Sequence, residues 1–309
     1  MERYLDPKND LLFKKIFGQH KDLLISFLNA FLPLKTGQEI REIEYLSSEQ
    51  VPETPYGKLS IVDVKCIDNH ERSFIVEMQN EWTKAFSNRL LVNGAKSIVN
   101  QMDKKHLDDL ALDFCELEPV YVLAVVNDEF TKKSEKEWYH HLKLTNPQNP
   151  DLVLTGLDYV LLELPKFKPE TWKFTDKKMA VLWLRFLREL NHNTEKLSEE
   201  LKSNRLIRKA INICRESALT PQEKRIYDDY LMNIMWNNTY KNMEKKFAES
   251  EKRVAESEKK IVENEKKIVE NEKIITEKDK TITENEKIIA EKDKELAKLK
   301  AELAKYTND

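Results

Sequence analysis

The sequence predicts an α/β fold with a mixed sheet, followed by a helical subdomain and a long C-terminal coiled-coil helix. Three observations predict it. Short runs of Val, Ile and Phe alternate with apolar residues at helical spacing over the first part of the chain, in the order helix, three strands, helix, strand. All 5 Trp and all 10 Pro fall before Met243, so globular packing belongs there. Beyond it an aliphatic residue recurs at every seventh position. The chain therefore divides into residues 1–170, an α/β core, 171–243, a helical subdomain, and 244–309, a heptad-repeat tail.

Each element has a local reason. Asn9 or Asp10 caps a first helix whose apolar residues from Leu11 to Phe31 keep helical spacing, punctuated by Gly18 and Pro33. Glu39 to Val51 reads as a strand through Ile40, Ile43, Tyr45 and Leu46, and Pro52, Pro55 and Gly57 mark the connection after it. Ser60–Cys66 and Ser73–Asn80 are the next two strands, joined by a polar turn at Asn69-His70. From Thr83 to Met102 the pattern is helical, with Phe86, Leu90, Leu91, Ala95, Ile98, Val99 and Met102 facing inward. Pro119 to Val126 is a continuous apolar run, the signature of a buried central strand. A weaker extended segment, Leu161 to Leu164, stops at Pro165. Asp176 to Leu190 is a strongly apolar helix in which Trp183 reads as core rather than as a base-stacking platform. Glu195–Ala218 and Pro221–Lys246 continue as helices, the second with Thr220 as cap and Pro221 at its first position.

Composition bounds the function. With 40% hydrophobic and 35% charged residues the chain can bury a core, but between Phe247 and Tyr306 it has no aromatic, Gly or Pro, so that stretch cannot build one alone. A net charge of -3 neither indicates nor excludes a polyanionic partner, because local basic patches outweigh the sum. Cys66, Cys115 and Cys214 are far apart and odd in number, which reads as reduced thiols and a cytoplasmic location. The N-terminus has no signal-peptide pattern and no apolar run reaches the length of a membrane span. The histidines show no ligand spacing; His140 and His141 are adjacent, point apart, and read as surface or packing residues. A Gly-rich phosphate loop, a Cys pair and a nucleophile elbow are all missing from the sequence.

The strand pair carries the chemistry. Side chains alternate along a strand, so Ile61, Asp63 and Lys65 share one face, as do Ile75, Glu77 and Gln79. With a three-residue turn Asp63 lies opposite Glu77, about 5 Å apart at Cβ, close enough to share a hard cation. The flanking Val, Ile, Phe and Met suggest a half-buried sheet. The plain alternative is two like charges on an exposed face, which only destabilise the hairpin unless water or a cation intervenes. Asp10 and Lys14 stand at i and i+4, where a surface ion pair is the simple reading. Arg89 is either a bidentate phosphate clamp or a solvated helix charge, and Lys65 a phosphate contact or a sheet-surface lysine.

Taken together, Asp10-Leu11-Leu12-Phe13-Lys14-Lys15-Ile16-Phe17-Gly18, Val62-Asp63-Val64, Val76-Glu77-Met78-Gln79, Arg89, Gln101 and Leu162-Glu163-Leu164-Pro165-Lys166-Phe167 resemble the PD-(D/E)XK nuclease superfamily. Within it they resemble the recombination-promoting nuclease (Rpn) family, which also carries the label transposase. The resemblance covers about Leu5 to Glu189. It implies a restriction-endonuclease-like core and divalent-metal-dependent cleavage of DNA, with Mg²⁺ as cofactor and Mn²⁺ or Ca²⁺ as alternatives. Asp63 and Glu77 fall on the two metal-ligand positions, the backbone carbonyl of Met78 on a third, and Asp10 on the place of an acid from the first helix. Gln79 stands where the wider superfamily has Lys, a change typical of the Rpn-like branch, and Asn93 where Tyr is expected. Gln79 can orient water but has no proton to exchange, so any base is metal-bound water or the substrate phosphate. Lys14, Lys65 and Arg89 are the candidate phosphate contacts.

In the tail, Val254, Ile261, Ile268, Ile275, Ile282, Ile289, Leu296 and Leu303 repeat every seven residues, while Ser257, Asn264, Asn271, Lys278, Asn285 and Lys292 fill the second core column. This predicts a homodimer or other homo-oligomer through a coiled coil. A solvated single helix is the alternative, supported by pairs such as Glu256 with Lys259. Function is accordingly expected to be a metal-dependent DNA endonuclease in recombination or mobile-element biology. A nuclease-fold protein that binds DNA or assembles without cutting is the competing expectation.

Overall fold

The computed structural model describes residues 3–50, 60–105, 117–132, 134–168 and 178–306. Pro52, Pro55, Gly57, Cys115, the helix start at Asp176 and the side chain of Leu303 lie outside the described residues. The chain divides into two units, Met1–Leu231 and Met232–Asp309.

The first unit opens with two helices where the apolar spacing predicts one. α1 spans Asp10–Gln19 and α2 spans Lys21–Phe31, separated by His20 in an extended conformation (φ −127°, ψ 95°). The break folds two apolar faces onto one core. Phe17 packs on Phe27 with ring centroids 4.5 Å apart and on Trp183 at 5.4 Å. Asn9 is the cap, its side chain accepting the Leu12 N–H at 3.3 Å, so Asp10 is the first helical residue and not the cap.

Strands follow as β1 (Ile43–Tyr45), β2 (Glu49–Gln50), β3 (Ser60–Ile61), β4 (Val64–Asp68) and β5 (Ser73–Gln79), then helix α3 (Lys84–Lys105). After α3 come β6 (Val120–Val126), β7 (Tyr139–Asn146) and β8 (Asn149–Glu163). Six of them form one mixed sheet in the order β1-β4-β5-β6-β8-β7, with β5, β6 and β8 parallel and the other neighbours antiparallel. The strand expected over Ser60–Cys66 is split: β3 pairs with β2 in a separate two-stranded ribbon, and the chain bends at Asp63 before β4 begins. β7 and the long first half of β8 are not legible as strands from the sequence, because Leu142, Leu144, Leu152 and Leu154 are exposed and Pro150 argues against a strand.

Both faces of the sheet are covered, in place of the half-buried sheet expected. Phe74, Val76 and Met78 of β5, with Leu123 and Val125 of β6, pack against α1, α2 and α4 (Lys178–Glu189), where Trp183 is a fully buried core residue. Ile75 of β5 and Val122, Ala124 and Val126 of β6 face α3 through Phe86 and Leu90. A fully buried side chain of this size contributes roughly 1.5–3 kcal/mol, so the two layers hold the sheet rigidly. The inward stripe of α3 is turned from the expected one. Leu91 and Val99 are 58% and 42% exposed, and Asn93, Gly94 and Ser97 are buried instead. Gly94 fits the turn: a Cβ there would come 2.6 Å from Tyr159 Oη and 3.0 Å from Leu157 Cδ1, so the ends of those side chains would have to shift to admit one.

The predicted helix over Glu195–Ala218 is two, α5 (Glu199–Ser203) and α6 (Arg205–Ile213). Asn204 ends the first and caps the second by accepting from Leu206 and Ile207 N–H groups. α7 runs Pro221–Tyr306 without interruption. Its start is a reciprocal capping box: Thr220 Oγ1 accepts the Glu223 N–H at 3.3 Å, and Glu223 accepts the Thr220 N–H at 2.8 Å. Within the first unit, Tyr227 of α7 is buried against Leu5 and Leu12. The second unit is helical, and its Val254, Ile261, Ile268 and Ile275 are each more than half exposed. Among the described residues no helix is long and apolar enough to cross a membrane.

Candidate active site

The site forms where β5 outruns β4. The antiparallel ladder ends at Val64 paired with Val76, so the next N–H of β5 on that edge, from Met78, has no strand partner. Asp63, at the bend, takes it: Oδ2 accepts the Met78 N–H at 2.7 Å. In a strand the carbonyl of a residue lies on the same edge as its N–H, so the Met78 carbonyl also opens toward Asp63. Glu77, one residue earlier and on the α3 face, is 1% exposed. Two carboxylates thus flank one backbone carbonyl.

α3 supplies the outer contacts. Asn93 Nδ2 donates to Glu77 Oε1 at 3.2 Å, while Arg89 reaches Gln79 Oε1 at 3.2 Å and lies 3.8 Å from Glu77 Oε2. The Arg89 guanidinium also sits over the Phe86 ring, 5.2 Å from its centroid, which fixes its approach. From the other layer, α1 brings Lys14, 2.8 Å from Asp10 Oδ1 and 3.5 Å from Asp63 Oδ1.

These contacts set the electrostatics. Burial pushes the Glu77 carboxyl well above the ordinary range, and the Asp63 charge pushes it further, against the pull of Arg89, Lys14 and Asn93. Asp63 is raised as well, first by burial, with the Met78 N–H opposing and Asp10 adding to the rise. The Lys14 ammonium is held above its usual value, since Asp10 and Asp63 outweigh the burial that would lower it. Buried acids with too few partners invite a cation. Two carboxylates and a backbone carbonyl are the oxygen donors a hard divalent ion takes. Among the described residues no group of three or more His, Cys, Asp or Glu side chains is arranged to hold a metal, so such an ion would need main-chain and solvent oxygens as well.

Asp63, Glu77, Met78, Gln79, Lys14, Asp10 and Arg89 therefore come together. Lys65 does not join their mouth: it is buried beneath α3 and lines another cavity with Ser97 and Gln101. Sequence reading missed the residues that lock the strand exit. Asn127 N donates to the Gln79 carbonyl at 2.8 Å and its side chain to Asn80 Oδ1 at 3.3 Å, while Asn80 donates to Tyr230 Oη at 3.4 Å. Asp128 accepts the Trp82 N–H at 3.0 Å. Glu163, present in the motif that carries the resemblance but without a role there, anchors this loop by accepting from Phe130 and Thr131 N–H groups at 2.8 and 3.1 Å. His140 and His141 are partnered too, with Glu163 at 2.9 Å and Asp158 at 2.6 Å.

A mixed sheet wrapped by helices, with an acid at the bend into one strand and a second acid at the exit of the next, defines a nuclease-type α/β domain. A family model described as PD-(D/E)XK nuclease family transposase matches residues 7–240, and the chain belongs to that family. No curated protein and no solved structure matches it.

Proposed function

We propose that this chain is a divalent-metal-dependent DNA endonuclease that hydrolyses phosphodiester bonds in recombination or mobile-element biology. The observation that carries the reading is the convergence of Asp63 and Glu77 on either side of Met78, both acids raised by burial and by neighbouring carboxylate charge. Asp63, Glu77 and the Met78 carbonyl would hold Mg²⁺, with Mn²⁺ or Ca²⁺ as substitutes. When bound, that ion supplies charge neutralisation at the phosphate and a lowered pKa for water.

The protein groups divide the remaining work. Lys14, kept protonated by Asp10 and Asp63, serves as a point charge for a phosphate oxygen rather than as a base. Arg89 holds the Gln79 amide so that Gln79 can orient the attacking water by hydrogen bonding. Asn93 fixes the Glu77 carboxylate without neutralising it. Asp10 acts through Lys14.

Nicking of supercoiled plasmid by the full chain with Mg²⁺ or Mn²⁺ tests the proposal. Activity lost in Asp63→Ala and in Glu77→Ala supports it, and an intact plasmid across metals and salts removes it. One observation favours a second reading, a nuclease-fold protein that binds DNA without cutting: Gln79 replaces the superfamily lysine and is itself engaged by Arg89. DNA binding in a gel-shift assay with no nicking would select that reading.

A further inference from the structure

The apolar seam of the tail begins earlier than its aliphatic repeat. Counting back in sevens from Val254 reaches Phe247 and Tyr240, and the companion column, three residues after each, contains Trp236 and Met243. These residues are 68%, 65%, 73% and 65% exposed, in that order, on one continuous helix. They form a large apolar stripe in the same heptad frame as the aliphatic residues that follow. Single exposed apolar residues are ordinary, but a stripe in register over many turns needs a cover.

The flanking charges say what covers it. In the frame with Val254 at position a, position g is basic at Lys246, Arg253, Lys260 and Lys267. Position e is acidic at every turn from Glu244 to Asp293. In a parallel pair each g residue faces the e residue five positions on in the other chain. Lys246 then meets Glu251, Arg253 meets Glu258, and Lys260 meets Glu265. Where the sign of g reverses, at Glu295, its parallel partner reverses too and is Lys300. In an antiparallel pair e faces e, and the acidic column would confront itself along most of its length. Core layers agree. Parallel pairing sets Ile on Ile and Asn on Asn at Asn264, Asn271 and Asn285, where the amides can bond across the axis, and it also sets Lys278 and Lys292 each beside its own copy, whose long side chains can carry the ammonium out to water; antiparallel pairing would set each Ile against a polar layer.

We propose that this face binds a second copy of the chain as a parallel, in-register coiled coil whose strongest seam is Trp236 to Phe247. The inference rests on the expectation that the tail self-associates and is independent of the catalytic reading.

The test uses the full chain in a Cys115→Ser background, with Cys66 and Cys214 buried. Ser257→Cys alone is expected to oxidise to a disulfide-linked dimer, as is Asn285→Cys alone, because each cysteine meets its own copy. A dimeric mass by light scattering with no disulfide from either variant overturns the parallel, in-register arrangement. A mass of one chain by light scattering overturns both the seam and the self-association it rests on, and leaves plasmid nicking as a separate measurement. Trp236→Ala with Tyr240→Ala is expected to raise the dimer dissociation constant at least about tenfold, as truncating aromatic anchors does. An unchanged constant, with helicity intact by circular dichroism, overturns the assignment of the seam to this segment.

Discussion

Asn93 donates its side-chain amide to Glu77, Nδ2 to Oε1 at 3.2 Å, with both residues buried. An amide in that position orients a carboxylate and leaves its charge for another partner. Asn93→Leu is expected to weaken Mn²⁺ binding by roughly 10- to 100-fold, the usual effect of losing an outer contact to a metal ligand. Titration calorimetry on the folded variant checks it; unchanged affinity would detach Asn93 from the site.

Lys14 bridges Asp10 and Asp63 beside the site. If it neutralises phosphate charge in the transition state, Lys14→Ala should lower the nicking rate about 10²- to 10³-fold, the scale seen when one electrostatic donor is removed. Lys14→Arg keeps the charge and should recover part of the loss. Equal rates for Lys14→Ala and the parent chain would assign the lysine to the surface pair with Asp10 alone.

Gly94 is a structural constraint next to a functional one. A Cβ 2.6 Å from Tyr159 Oη cannot be placed without moving α3 or the tyrosine. Gly94→Ala is expected to cost no more than about 1 kcal/mol, because the Tyr159 and Leu157 side-chain ends can shift and alanine favours the helix. Urea unfolding measures it. Tyr159→Phe, which removes the nearest atom, should return part of the stability when combined with Gly94→Ala, and a purely additive pair would show that the clash is not the cause.

Much of this was legible because it is local. The run Val120 to Val126 is a strand wherever it lies, and Thr220 with Glu223 marks a helix start by itself. The faces of Glu77 and Gln79 follow from alternation, and they are as expected. What was not legible depends on contacts distant in sequence. The stripe of α3 had more apolar residues on the face carrying Leu91 and Val99, yet the sheet selected Asn93, Gly94 and Ser97, because close approach to β8 needs a small side chain and Glu77 needs a donor. Exposed leucines on β7 and β8, with Pro150 among them, masked a hairpin whose ladder only the pairing reveals. The bend at Asp63 likewise goes with a contact distant in sequence, the hydrogen bond it accepts from the Met78 N–H 15 residues away.

Glu163 couples acid stability to the geometry of the strand exit. Burial alone would raise its carboxyl, but hydrogen bonds from Thr131, His140 and the Phe130 N–H outweigh that and hold it below the ordinary range. A carboxyl depressed on folding contributes stability that is present above its unfolded value, about 4.3, and is lost as pH falls through the folded value. The full chain should therefore lose stability on acidification below about pH 4.3, and Glu163→Gln should flatten that limb while lowering stability at pH 7. Urea unfolding at several pH values distinguishes the two curves; parallel curves would mean that Glu163 titrates alike folded and unfolded. Because the same carboxylate anchors the loop whose Asn127 holds Gln79 and whose Asp128 holds Trp82, the variant should also nick plasmid more slowly at neutral pH. That second effect would separate an anchor of the site from a buried acid that only stabilises the fold.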